Sequence, residues 1–446
     1  MKDLRFNVVD EAVHMLDSDA EPWSIELELR VAGSLDEPRF RRAVGEALAL
    51  HPMARARKLP SRPSQRHLFW HIPDAPDVDP VAVVDCRDDA ALQAMRAELL
   101  SRRVPLVESP PLRVRLVRHP GGDVVMLNVH HAASDGYGGL RILRSIGRAY
   151  AGSADPLPDL DLARARDLEG ALSAPDVDRL APRLRDLADK ARDQLSPPAR
   201  IAADQAEDRP GYGFHHLALD PDTTRAIEEI DHPGTVNDVL VAALHLAIAD
   251  WNGEHAVACR RIGVMVPVNL RPSEWRQEVV GNFILPTRVT TTGQDRASPR
   301  RALDAVNAQS RRIKEAGTAA ALIEVLGPAS SLPLWAKRTT SPLLALTGNR
   351  LVDTAILSNL GELDDPPSFG PDAGETTELW FSAPARMPLG LSVGVATVGD
   401  RLFLSLRYRH PQFGPGAARR FAGLYQAALE RLCDAPAAVT ARQAPG

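Results

Sequence analysis

The sequence predicts two similar-sized α/β or α+β lobes, because strand-like and helix-like segments alternate in both halves of the chain. The stretch from about Gly152 to Gly213 is instead rich in Ala, Pro, Asp and Arg, which is typical of a connector between domains. A chain of 446 residues is long enough for two such lobes. The predicted division is a first lobe at 1–155, a connector at 156–210, a second lobe at 211–435 and a disordered tail at 436–446.

In the first half, the apolar residues of segment 24–31 alternate with polar ones, as in a half-buried strand. A helix is predicted over 36–50, where Ser34 and Glu37 have the spacing of a capping box. The other predicted elements are a helix at 90–100, strands at 112–117 and 124–129, and a helix after a glycine-rich turn, where apolar residues recur from Leu140 to Tyr150.

In the second half, Thr235 and Asp238 have the spacing of a helix start, and the predicted helix continues through Trp251. The nearly continuous apolar run 262–268 indicates a strand that is buried on both faces. The remaining predictions are an exposed helix near 179–195 in the connector, a strand at 281–290, a basic amphipathic helix that starts at Ser298–Pro299 and ends near 316, a strand at 402–408 and a closing helix at 417–432.

Composition and charge exclude several classes of protein. Hydrophobic residues make up 44% and charged residues 25%, which excludes wholesale disorder. The net charge of −5 gives no basic field for nucleic acid or an anionic membrane. The three cysteines have no CxxC spacing, and nucleotide-loop and zinc-protease motifs are missing from the sequence, so neither a metal nor a permanently bound cofactor is expected. No signal peptide or membrane-spanning segment is recognisable, and a cytoplasmic location is expected.

The strongest chemical signal follows the apolar strand at 124–129, where His130 and His131 precede Asp135 and Gly136. Adjacent strand residues face opposite sides, so only one imidazole can point into a given cleft. A histidine titrates near neutrality and can accept a proton from an alcohol or amine. Asp135 could hold the local geometry through a buried ion pair, and Gly136 could allow a tight turn. A pair of core or turn histidines is the alternative interpretation.

A second copy of the same spacing occurs at His215-His216 and Asp220. There, Pro221 replaces the glycine, and Asp followed by Pro is typical of a helix N-cap and first helical position. This copy is predicted to be structural.

The segment from Gly390 to Gly394 matches the GxSxG pattern of serine hydrolases, with Ser392 in the nucleophile position. That pattern requires a strand, a sharp turn and a helix. Here the sequence continues as a strand and then a hairpin that carries Asp400 and His410. A hydrolase that uses Ser392 is therefore a less favoured alternative.

These features together resemble the superfamily of condensation domains and CoA-dependent acyltransferases. It includes nonribosomal-peptide condensation domains, polyketide-associated acyltransferases and wax ester/diacylglycerol synthases. The superfamily hallmark HHxxxDG stands at His130 to Gly136. Weaker marks occur in family order at 50–55 (LHPMAR), 235–240 (TVNDVL), 266–271 (VPVNLR), 280–283 (VGNF) and 357–361 (LSNLG). The resemblance extends from about residue 20 to residue 430.

The resemblance implies an α+β fold, in which two chloramphenicol-acetyltransferase-like lobes form a V-shaped pseudo-dimer around an active-site channel. It implies that His131 is catalytic and that His130 and Gly136 support the site. Asp135 would pair with an arginine, for which Arg271 is the best candidate. The residues expected near the substrate channel are Asn282, Ser358 and Asn359.

The resemblance also implies an activity. The protein is expected to be a free-standing enzyme that moves an acyl group from a phosphopantetheine thioester, on CoA or a carrier protein, to an alcohol or amine. Ester or amide would form by direct transfer, in natural-product or lipid biosynthesis, and the thioester would be a co-substrate. A monomer is expected. The alternative from another class is a catalytically silent relative that docks a carrier protein or partner enzyme, which the intact motif disfavours.

Overall fold

The computed structural model describes residues 3–159, 161–168, 197–272, 275–316, 331–339 and 352–435. These residues form sheets of five, six and three strands with helices packed against them, so the predicted α+β class is confirmed. The elements of the first half are β1 Leu4–Arg5, α1 Val8–Leu16, β2 Ser24–Val31, α2 Glu37–Leu50, β3 Arg57–Lys58, β4 Phe69–His71, β5 Val81–Asp85, α3 Asp89–Ser101, β6 Leu112–Arg118, β7 Val124–His130, α4 Gly136–Ala151 and α5 Leu162–Ala165.

The elements of the second half are β8 Tyr212–Ala218, α6 Pro221–Glu228, α7 Val236–Glu254, β9 Arg261–Asn269, β10 Ile284–Thr292, α8 Pro299–Ala316, α9 Leu334–Lys337, β11 Ala355–Glu362, β12 Thr376–Ser382, β13 Leu391–Val398, β14 Arg401–Arg409 and α10 Pro415–Cys433. The predicted helix near 179–195 and the predicted tail at 436–446 lie outside the described residues.

The first lobe is built on the five-stranded sheet, in the order β12-β2-β7-β6-β5. Only the β5–β6 pair is parallel within this sheet. In β2 the apolar residues Ile25, Leu27 and Leu29 are buried in one core, as their alternation predicts, but Glu26 and Glu28 are buried too, so the strand is not half-buried as predicted. The helices α2 and α4 pack against each other, and α4 also packs on β2 and β7. This arrangement places the start of α4 beside the end of β7.

The second lobe is built on the six-stranded sheet, in the order β10-β9-β11-β13-β14-β8. In its middle β11 runs parallel to both β9 and β13, and the other pairs are antiparallel. Helix α7 contacts both α8 and α10, and its residues from Val239 to Ile248 are buried in the second core. Such a continuous buried stretch explains the high hydrophobicity of α7.

One strand passes from the second half of the chain into the first lobe. Strand β12 pairs antiparallel with β2 from Thr376 opposite Val31 to Ser382 opposite Glu26. The predicted division assigns these residues to the second lobe, whereas the structure places them at the edge of the first lobe's sheet. A pairing between segments about 350 residues apart has no local sequence signal. The other boundaries of the predicted division stay predictions.

The helix starts follow capping chemistry, with one correction. The predicted cap of α2, Ser34, is wrong, because the side chain of Asp36 accepts the Arg39 N–H at 2.8 Å. In α7 the main-chain N–H of Thr235 donates to the Asp238 carboxylate at 2.8 Å, as the capping-box spacing predicts.

Candidate active site at the lobe junction

The two adjacent histidines face different surroundings, as strand geometry requires. His130, the last residue of β7, is buried, and its Nδ1 accepts the Ala132 N–H at 3.0 Å. The proton therefore lies on Nε2, which is 3.2 Å from the carboxylate of Asp17. Both ring nitrogens of His130 thus face protein groups, so this residue holds the turn after β7.

His131 is arranged differently. The residue is half-buried, and Nδ1 lies 3.2 Å from the carbonyl oxygen of Ser134. Because a carbonyl only accepts, Nδ1 carries the proton and Nε2 keeps its lone pair. Nε2 has no hydrogen-bond partner in the part of the chain that the structure describes. This is the tautomer of a base that is ready to accept a proton.

The pKa of His131 is lowered from its usual range. Burial of the ring is the largest cause, because it disfavours the charged imidazolium, and the carboxylate of Asp135 partly opposes this effect. The imidazole is consequently neutral near pH 7, as a general base requires.

His131 lines a cavity of about 80 Å³ to which both lobes contribute. This volume holds only a few water molecules, so the groups on its wall face the same small space. The predicted channel residues Ser358 and Asn359 lie on this wall, on strand β11. Its other lining residues are Ile25, Asp135, Gly136, Tyr137, Pro267, Asn269, Ile284, Leu360, Phe381 and Ala383.

The carboxylate of Asp135 is the N-cap of α4, where Oδ1 accepts the Gly138 N–H at 3.0 Å. Arg271 of the second half binds the same carboxylate with two N–H groups, at 2.7 and 2.9 Å. Both side chains of this pair are almost fully buried. The main-chain N–H of Phe283 also donates to Asp135, at 2.9 Å. This charged pair therefore fixes the start of α4 against the segment before β10. Because the Phe283 N–H bonds to Asp135, β10 begins at Ile284 and not at 281, the predicted start.

Asn282 is not among the lining residues of this cavity, and its expected place near the substrate channel stays a prediction. Its side chain is fully buried, and Nδ2 donates to the main-chain carbonyl of His131 at 2.9 Å. The asparagine thus holds the backbone that carries the candidate base.

The glycine of the motif has a different role from the predicted tight turn. Gly136 is the first residue of α4 and has no positive φ. A Cβ at this position would lie 2.8 Å from Cε2 of Phe381 and 2.9 Å from Cδ2 of Leu360. The glycine therefore permits the close approach of β11 and β12 to the helix start.

We expect Gly136→Ala to lower stability by about 1–3 kcal/mol, because the added methyl group overpacks this contact. The cavity beside His131 is expected to change shape as well, since the displaced Phe381 ring lines it. Urea unfolding measures the first effect. Gly45→Ala, on α2, is a matched control, because its Cβ would have no neighbour within 4 Å. Equal stability of the two variants would contradict this role for Gly136.

Neither the GxSxG segment nor the second histidine pair forms a catalytic group. Ser392 lies within β13, is fully buried, and donates its hydroxyl to the Ala383 carbonyl at 2.6 Å. Gly394 is needed because a Cβ there would lie 1.9 Å from the carbonyl oxygen of Phe381, where β12 crosses β13. The GxSxG segment therefore lies where two strands cross. It lacks the strand-turn-helix geometry that a serine nucleophile requires.

The second histidine pair lies on β8, where the ring of His216 stacks on that of Trp380 with centroids 4.2 Å apart. Asp220 caps α6 through the Thr223 N–H, as the Asp-Pro sequence predicts.

Sequence reasoning did not identify Asn269 or Phe381 as lining residues. Asn269 lies two residues before Arg271 and two after Pro267, so strand alternation places it on the same face as Pro267. This two-residue spacing is the sequence signal from which the place of Asn269 could have been predicted. The sequence gives no such signal for Phe381, because its position depends on the pairing of β12 with β2.

Two further observations apply to the described residues only. They contain no cluster of three or more His, Cys, Asp or Glu side chains that fits a metal ion. None of their helices has both the length and the hydrophobicity that a bilayer crossing demands.

Comparison with known proteins gives a consistent result. The family described as Condensation domain matches residues 12–321. The uncharacterised protein Rv2305 of Mycobacterium tuberculosis is 35% identical over 430 residues, which cover 96% of this chain and 99% of Rv2305.

Two solved structures show the same fold at low identity. The first condensation domain of the calcium-dependent antibiotic synthetase, in complex with a substrate analogue, has a TM-score of 0.73 at 16% identity, and the match covers 98% of this chain and 97% of that one. SgcC5 of Streptomyces globisporus has a TM-score of 0.65 at 20% identity, covering 97% and 99%. These structures confirm the expected architecture of two chloramphenicol-acetyltransferase-like lobes. By the extent of the family match and of the similarity to Rv2305, this chain belongs to the condensation-domain family.

Proposed function

We propose that this protein is a condensation-type acyltransferase, which moves an acyl group from a phosphopantetheine thioester to an alcohol or amine. The thioester is carried by CoA or by a carrier protein that binds in trans. Membership of the condensation-domain family supports this class of reaction. The observation that carries the proposal is the neutral His131 ring, whose unpartnered Nε2 belongs to a residue on the wall of a small cavity between the lobes.

The chemistry starts with proton removal from the acceptor. Nε2 of His131 accepts the proton of the alcohol or amine as its oxygen or nitrogen adds to the thioester carbonyl carbon. The π electron pair of the carbonyl moves to its oxygen and gives a tetrahedral oxyanion. Collapse of this intermediate re-forms the C=O bond and expels sulfur, which takes the proton from His131 and leaves as a thiol. The enzyme returns to its starting state without a covalent intermediate.

The surroundings of His131 serve this sequence by positioning. Ser134 fixes the ring tautomer, and Asn282 fixes the backbone of His131. The buried Asp135–Arg271 pair holds the helix start and the opposite lobe in register. Bringing the reacting groups of both substrates together beside His131 removes much of the entropic barrier, worth on the order of 7–11 kcal/mol for well-oriented groups.

The test is a screen of the intact protein by mass spectrometry of products. Acyl-CoA thioesters and acyl-loaded carrier proteins are each offered with mixtures of amines and alcohols. A new ester or amide whose formation requires both partners supports the proposal. Tight carrier binding without turnover across the whole panel would instead establish a docking protein. A product of water alone that is lost in Ser392→Ala would establish the hydrolase.

The pH dependence gives a second check. Activity requires neutral His131, and burial lowers the pKa of this ring. We therefore expect kcat/KM to fall as the pH decreases through a midpoint that lies below about 6.5, the usual histidine value. A midpoint above that value would show that the group being titrated is not this desolvated imidazole. The profile is measured with the substrate pair that the screen identifies.

A further inference from the structure

The side chain of Asn269 is held in one orientation at the cavity wall. Its Oδ1 accepts the main-chain N–H of Arg271 at 3.0 Å and lies 3.3 Å from Nη1 of the same arginine. Both neighbours are donors, so the atom between them must be the amide oxygen. The amide cannot flip without turning its NH₂ group toward the guanidinium.

This orientation leaves the amide nitrogen without a partner. Nδ2 of Asn269 is shielded from solvent and makes no hydrogen bond with any described residue. Buried donors are nearly always satisfied in native proteins, and the exceptions call for a bound group that completes them. Asn269 lines the same cavity as His131, so a reactant that widens this cavity on entering it would reach the amide and complete the bond.

The scaffold behind Asn269 is rigid. Arg271 binds Asp135 with two N–H groups and donates further to the carbonyls of Val279 and Gly281. The amide is therefore fixed before substrate arrives, and a fixed donor stabilises developing charge without a cost of reorganisation.

We propose that Nδ2 of Asn269 donates a hydrogen bond to the thioester carbonyl oxygen and stabilises it as the tetrahedral oxyanion forms. This inference rests on the proposed acyl transfer. The base and the donor act on different atoms of one step: His131 takes the proton from the attacking group, while Asn269 binds the oxygen that receives the carbonyl electron pair. When the C=O bond re-forms, the hydrogen bond weakens and no proton has moved to or from the amide.

Kinetics of two variants separate this role from a purely structural one. Asn269→Asp keeps an oxygen for Arg271 but has no N–H, and Asn269→Ala removes both contacts. We expect kcat to fall in both variants by roughly 10²- to 10³-fold, the usual effect of losing one oxyanion donor, with a much smaller change in KM. If Asn269 only positions Arg271, Asn269→Asp retains wild-type kcat, and that result would overturn the proposal. Asn237→Asp, in the first turn of α7, is the matched control and should keep wild-type kcat.

Infrared spectroscopy supplies a readout that does not depend on turnover. S-acetylpantetheine labelled with ¹³C at its carbonyl is the probe, because it contains the part shared by CoA and carrier-protein donors. A hydrogen bond lowers the carbonyl stretching frequency of the bound probe in the wild type, and the shift should disappear in Asn269→Ala.

The kinetic and infrared measurements distinguish failure of the Asn269 proposal from failure of the proposed function. Active wild-type enzyme with the same carbonyl band in Asn269→Ala refutes the role of Asn269 and leaves the transferase intact. A shifted band in a wild-type protein that transfers no acyl group supports the amide donor and refutes the proposed function.

Discussion

His131→Ala is expected to reduce acyl transfer by roughly 10²- to 10⁴-fold, the range typical of a lost general base. The physical reason is that Nε2 of His131 is placed to accept the proton of the attacking group. The effect should fall on kcat, because the methyl group of alanine does not obstruct the approach of either reactant to this position. Measurement of kcat and KM for the best substrate pair tests this expectation.

The fold of this variant is expected to persist. His131 as a whole residue is half-buried, and the hydrogen bond that its side chain makes among the described residues is to a carbonyl that water can satisfy. Circular dichroism and thermal unfolding check this point. His71→Ala, on β4, is the matched control, because its ring is partly exposed and, among the residues that the structure describes, bonds only to Asp3. Undiminished transfer by His131→Ala would remove the central residue from the mechanism.

Arg271→Ala is expected to have the largest effect on stability, about 3–5 kcal/mol in the free energy of unfolding. The variant leaves the Asp135 carboxylate buried without its counter-charge, and an unpaired buried charge is costly. Urea unfolding measures the loss. Arg225→Ala is the matched control, because its partner Asp222 is almost fully exposed, and a surface pair contributes at most about 1 kcal/mol.

A double-mutant cycle isolates the charge effect. Asp135→Asn keeps an oxygen that can cap α4 but carries no charge. In that background Arg271→Ala should cost clearly less than in the wild type, because no charge is stranded. Additive costs would mean that Arg271 stabilises the protein mainly through its bonds to the Val279 and Gly281 carbonyls.

Elements with a strong local pattern were predictable from sequence. Helix α7 has a capping box and a long apolar stretch, and helix α8 has Ser298 followed by Pro299, so both were located to within a few residues. The cap of α2 was misplaced because Ser34 and Asp36 are both acceptable cap residues, and only the folded backbone decides between them. Local sequence therefore determined most elements but not each terminus.

The site was predictable only in part. The HHxxxDG spacing pointed to one of the two histidines, and the resemblance to the superfamily suggested His131 as the base and Arg271 as the partner of Asp135. The close approach that requires Gly136 and the pinned amide of Asn269 were not predictable, because both depend on strands that meet across the lobe junction. A single sequence does not report which side chains converge from separate lobes.

The crossing of β12 into the first lobe has a mechanical consequence. Its main-chain hydrogen bonds to β2 and its close approach to Gly394 join the two halves beside the cavity that His131 lines. We expect a hinge motion of the two halves to pivot near this β12–β2 pairing. The parts of both halves that lie far from it would then move most, while the spacing around Phe381 stays almost constant. The two halves also cannot be produced as separate, self-sufficient pieces, because the first would keep an unprotected sheet edge along β2 and be prone to aggregate.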